Sequence, residues 1–130
     1  MEQRIEKELE LLKQFFPDIE YHSNEHWFYI PSYPLLDGWN RTSIEIAFQI
    51  KKGYPGTKPY AFYVPVGLRF NDEKPKNYKE PAKNQPPFDG EWGCISWSVT
   101  NEWRPTANLK SGSNLLNWVN SFKDRFQEGV

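Results

Sequence analysis

The chain has 130 residues, a formal net charge of −1, and an aromatic content of 17% that includes six tryptophans. That length suits one domain, residues 1–130, with a proper hydrophobic core. The near-neutral balance supplies no overall field toward nucleic acid or acidic lipid, and no apolar run approaches membrane-spanning length. The lone cysteine, Cys94, excludes an internal disulfide framework. The N-terminal MEQRIEKELELLKQ is too charged for a signal peptide. The expectation is a cytoplasmic protein without nucleic-acid or membrane partners.

Ile5, Leu9, Leu12 and Phe16 recur at helical spacing and predict a helix over residues 2–16, ended by Pro17. His22 to Tyr33, with Trp27, Phe28, Tyr29 and Ile30, has the composition of a strand closed by Pro31 and Pro34, and LLDGWN at 35–40 reads as a turn. In Ser43 to Lys51, Ile44, Ile46, Phe48 and Ile50 alternate with Ser43, Glu45, Gln49 and Lys51, which predicts a strand with one wet face. Tyr60 to Val66 is the next strand, with Pro65 at its edge or end, and the short connections suggest an antiparallel meander. The proline-rich stretch 71–89 has no apolar period and reads as an ordered or semi-ordered loop. Leu115, Val119, Phe122 and Phe126 predict a second helix started near Ser111 or Ser113, with Trp118 off its stripe. A helix, a meander of about four strands, a long loop carrying the cysteine segment, and a closing helix make a layered α+β domain.

Cys94 lies in GEWGCISWSVTNEWRP, between Trp92 and Trp97 and far in sequence from either histidine. It is either a small apolar core residue or a residue kept for sulfur chemistry. His22 and His26 flank a predicted strand, and with one cysteine they lack the spacing of a metal site. No glycine-rich phosphate loop occurs, and no cofactor is expected.

Three segments, taken in order, resemble the ubiquitin-conjugating-enzyme (UBC) family. GYPGTKPYAFYVP at 53–65 is similar to that family's Tyr-Pro-x-x-x-Pro turn through Tyr54, Pro55 and Pro59. Gly93-Cys94-Ile95 sits where the family has its Gly-x-Ile-Cys-Leu active-site segment. Trp103-Arg104-Pro105, followed by a helix with Leu115 and Leu116, is similar to the family's Trp-Ser-Pro and the helix after it. The likeness covers roughly residues 40–127. Through Val64 to Arg69 it extends to divergent bacterial UBC-like proteins, which occur with ubiquitin-like modifiers, activating enzymes and deconjugating peptidases in phage-defence gene clusters.

The resemblance implies that Cys94 accepts the C-terminal carbonyl of a ubiquitin-like protein from an activating enzyme and passes it to an amine on a target protein. Sulfur suits that role because a thiolate attacks carbonyls readily and leaves easily from a thioester. An unperturbed thiol is only a few per cent ionised at neutral pH, which a positioned partner thioester can offset through proximity. The family's His-Pro-Asn motif is absent. Asn84, in Asn84-Gln85-Pro86-Pro87, and Asn101 are the candidate amide donors to an oxyanion, although residues of this type in such a loop more often serve as solvated turn residues. Tyr54, Pro55, Pro59, Trp103 and Pro105 would support the site by packing. Glu91 is a loop charge or a group that orients an incoming lysine. Arg4, Lys7 and Lys13 on the first helix would dock the activating enzyme, or simply form a solvated face. A non-catalytic UBC-like adaptor with a structural Cys94 is the alternative, and a module binding peptide or carbohydrate through open tryptophans is a more distant one.

Overall fold

The computed structural model describes residues 2–99 and 102–130. Helix α1 (Glu2–Phe15) is followed by strands β1 (Glu20–His22), β2 (Trp27–Pro34), β3 (Ser43–Gln49), β4 (Phe62–Pro65), β5 (Tyr78–Lys79) and β6 (Trp92–Ile95), and helix α2 (Leu115–Glu128) closes the chain. The architecture is α+β, with one antiparallel sheet in the order β1-β2-β3-β4-β6-β5. The first four strands form the expected meander; β6 then pairs with β4, and β5 is added outside it.

The sheet therefore has six strands where the sequence suggested about four. Reading His22 to Tyr33 as one strand runs across a break: Glu25 and His26 have φ of 64° and 57°, so the chain turns back and β1 pairs with β2. The other addition, β5, is two residues long and lies inside the proline-rich loop, too short to show any period.

One side of the sheet packs on the helices. Ile5 and Leu12 of α1 join Phe28, Ile46, Phe48, Phe62 and Val64 of the strands and Leu115, Val119, Phe122 and Phe126 of α2 in a single buried cluster. Phe62 stacks on Phe122 with ring centroids 4.1 Å apart, and Phe28 on Phe48 at 4.9 Å. Trp118 is not off the stripe of α2 but fully buried, edge-on to Phe48, Phe62 and Phe122. With Leu115, Val119 and Phe122 it fills the i, i+3, i+4, i+7 positions of an apolar face broader than four residues suggest. Helix α2 starts after Ser113, at Asn114, where a capping box closes its first turn: Asn114 Oδ1 accepts from the Asn117 N–H at 3.0 Å, and Asn117 Oδ1 from the Asn114 N–H at 2.9 Å.

The expected wet face of β3 is not wet. Ala47 is buried with Trp27 and Trp92 on the outer side of the sheet, and Glu45 and Gln49 are half-buried there. Phe88, carried over this side by the loop before β6, stacks on Tyr29 at 4.7 Å. No helix among the described residues is long and apolar enough to cross a membrane.

A buried carboxylate ties the helices together. Glu8 on α1 is fully buried: its Oε1 accepts from the Leu115 N–H at 2.6 Å, and the Tyr54 hydroxyl lies 2.7 and 2.8 Å from its two oxygens. Arg4 Nε donates to Glu8 Oε2 at 2.9 Å. An α1 side chain thus satisfies a free N–H in the first turn of α2.

Candidate active site

Cys94 lies in β6, opposite Tyr63 of β4 on one side and Lys79 of β5 on the other. Alternation along the strand sends Gly93 and Ile95 toward the helices, and Trp92 and Cys94 toward the outer side. Gly93 is required by what crosses it: a Cβ there would lie 2.5 Å from the Tyr78 ring. The Tyr78 hydroxyl is held between Pro65 O, at 2.9 Å, and Glu80 Oε2, at 2.8 Å.

Glu80 gathers further donors. Its Oε2 accepts from the Gly67 N–H at 2.7 Å, and its Oε1 from Arg69 Nη2. The Arg69 hydrogen bond, helped by the Gly67 N–H and the Tyr78 hydroxyl, outweighs partial burial and holds the Glu80 carboxyl down to about 2. Burial and this carboxylate push the Tyr78 phenol well above its ordinary value.

These contacts wall an open cleft of about 410 Å3, lined by Lys74, Asn77, Tyr78, Lys79, Glu80, Cys94 and Ser96. The wall is tied at several points. Arg125, buried on α2, donates from Nη2 to Lys76 O at 2.8 Å, and the Ser96 N–H donates to Asn77 O at 2.8 Å. Asn77 has a φ of 58°, a left-handed conformation that asparagine tolerates better than most residues.

Cys94 itself is half-buried. Burial pushes its thiol above the ordinary value; the Tyr63 hydroxyl and the charges of Lys51 and Lys79 pull it back without reversing the shift. Tyr63 is raised in turn, by burial and by the thiol beside it.

Of the described residues singled out in the sequence, only Cys94 lines this cleft. Asn84 is exposed on the loop, away from it, and Asn101 falls outside the described residues. Exposed Glu91 does not line the cleft either. Tyr54, Pro55 and Trp103 do come together, but at the junction of the helices: Trp103 Nε1 donates to Pro55 O at 2.7 Å, and its ring lies 6.2 Å from that of Tyr54, which reaches Glu8. Pro59 is buried and Pro105 half-buried. Arg4 is occupied by Glu8, by Thr106 O at 2.6 Å and by Ser113 O at 3.2 Å, whereas Lys7 and Lys13 are exposed. The Tyr21 hydroxyl and His26 Nδ1 share a 2.6 Å hydrogen bond, and His22 meets the Phe88 ring edge-on.

Lys74, Asn77 and Lys79 of the cleft, and Tyr63 opposite the thiol on β4, are residues that sequence reasoning missed. Three of them sit in a loop without period, and the only available signal was the isolated Tyr78, an apolar ring in a polar stretch. Compared with protein-family models, with curated proteins and with solved structures, the chain has no match. Chemically, the arrangement offers one thiol beside a cross-strand ammonium, a phenol, and a side-chain amide in the same open cleft.

Proposed function

We propose that this protein is a transferase of the ubiquitin-conjugating type, carrying a ubiquitin-like protein as a thioester on Cys94. The single observation behind this reading is that the only thiol, rather than being sealed in either aromatic cluster, opens into a cleft with two lysines and an amide. The order of helix, meander, loop, cysteine strand and helix supports it, as do the three segments that resemble the family.

In the first step Cys94 Sγ attacks the carbonyl carbon of a thioester on an activating enzyme. A new C–S bond forms, and the enzyme's own thiol departs and takes up the proton lost by Cys94. In the second step an amine nitrogen of the target attacks that carbonyl, an amide forms, and the Cys94 thiol is restored. The raised thiol suits a carrier: a poorer leaving group holds the acyl chain until a positioned amine arrives. Asn77 takes the role first expected of Asn84, an amide donor for the oxyanion. Lys7 and Lys13, free on α1, remain the surface for the activating enzyme.

One observation favours a second reading, a UBC-like adaptor with an inert cysteine: burial dominates the thiol's environment. Expression of Cys94→Lys in the source cells and intact-mass measurement separates the two. A stable adduct of ubiquitin-like mass supports the carrier and identifies the modifier. An unmodified chain, with the activating enzyme present and the native thiol slow to alkylate, establishes the adaptor.

A further inference from the structure

The cleft beside Cys94 has a charge pattern that the thiol chemistry does not use. Lys74 and Lys79 are exposed on its wall, and among the described residues neither makes an ion pair. Its one carboxylate, Glu80, is engaged by Arg69 and the Gly67 N–H, so the cleft carries unbalanced positive charge. Lys51 adds a third cation close enough to act on the thiol. The neighbouring acids Asp72 and Glu73 lie on the turn before Lys74 and do not line the cleft. Asn77 and Ser96 place an amide and a hydroxyl along the same wall. The outer flank is open because β5 is the last strand of the sheet.

We infer that this cleft binds an extended acidic peptide. Resting on the transferase reading, that peptide is the tail of the modifier, with carboxylate side chains close to the carbonyl that Cys94 accepts. The wall is fixed before binding by the Arg125, Ser96 and Tyr78 contacts, so little ordering is needed when a chain enters. Separated ammonium groups on an open wall match carboxylates spaced along a peptide. They fit nucleic acid less well, because the only aromatic residue lining the cleft, Tyr78, is buried and offers no face for a base.

The test uses fluorescein-labelled octapeptides with a free C-terminus, bearing either two glutamates or two glutamines, and reads anisotropy against the full chain. The glutamate peptide is expected to bind about tenfold more tightly than the glutamine peptide at low salt, and to lose that advantage as salt rises. Lys74→Glu with Lys79→Glu should abolish the difference, and Lys123→Glu, a charge reversal on α2 outside the cleft, should preserve it. Equal binding of the two peptides, no binding at millimolar concentration, or tighter binding of a single-stranded oligonucleotide overturns the inference. The Cys94→Lys trap reports separately. Acidic-peptide binding without an adduct leaves a docking cleft and removes the transferase; an adduct whose tail lacks carboxylates does the reverse.

Discussion

The helix-covered side of the sheet is closed by rings from two directions, with Phe62 stacked on Phe122 and Trp118 set edge-on between strands and helix. The outer side is closed by a loop alone: Phe88 covers Tyr29, Trp27 and Trp92, and beyond that cluster the surface opens at Cys94. Two carboxylates act as polar keystones, one between the helices and one at the edge of the sheet beside the cleft. Glu8, sealed from solvent, links the helices to the Tyr54 turn; Glu80, partly open, links Gly67, Arg69 and Tyr78 around the cleft. The same device, one carboxylate collecting several donors, fixes the scaffold in one place and shapes the wall of an open cleft in the other. Burial sets the difference, because an unpaired polar group costs more the further it lies from water.

Removing Glu8 should have the largest effect. Glu8→Ala leaves the Leu115 N–H and the Tyr54 hydroxyl without their acceptor in a dry site, and strips Arg4 of its counter-charge while its bonds to Thr106 O and Ser113 O remain. A loss of about 3–5 kcal/mol is expected, the range for breaking a buried, hydrogen-bonded ionic site. Urea unfolding measures it, and a loss below about 1 kcal/mol would mean that Glu8 is not what joins α1 to α2.

Glu80→Gln should cost less, about 1 kcal/mol at neutral pH, since Glu80 and Arg69 are partly exposed and water replaces much of what is lost. Its signature is the pH dependence. The folded-state value is depressed to about 2, below the ordinary carboxylate range. The stabilisation is therefore complete above that range and fades as pH falls toward 2. The stability gap between wild type and Glu80→Gln should close across this window and stay constant above pH 6. A gap that widens toward acid would contradict the network.

Helix α1 and strand β3 were readable because Ile5, Leu9 and Leu12, and likewise Ile44, Ile46 and Phe48, repeat at the period of their own element. The cleft was not, because its walls come from pairing rather than from period. Asn77 and Asn84 belong to the same polar loop, and Asn84 is nearer to Cys94 in sequence. Yet the antiparallel register sets Tyr78 opposite Ile95 and Lys79 opposite Cys94, which carries Asn77 alongside Ser96. Asn84 lies past the Ala82 N–H to Trp92 O bond, at the far end of that hairpin. The Tyr54, Pro55 and Trp103 group was recognisable from its residues, but its position at the Glu8 junction depends on how α1 and α2 pack, which neither segment encodes alone. Likewise the second face of β3 looked wet because Phe88, which covers it, stands far along the chain.

The smallest expected effect falls on the thiol itself. Tyr63 is a half-buried residue of the outer cluster, and its hydroxyl counters part of what burial does to Cys94. Tyr63→Phe keeps the ring against Trp27 and removes only that hydroxyl, so the fold and its stability should change little. The pH profile of Cys94 alkylation should move to higher pH, because burial then acts against the lysine charges alone. Lys79→Gln should move it in the same direction by removing one of those charges. An unchanged profile in both variants would place the hydroxyl and the ammonium out of reach of the sulfur, and the outer side would then be as indifferent to its cysteine as the helix side is. A shift in both, with the fold intact, would mark the outer side as the one whose electrostatics act on the sulfur.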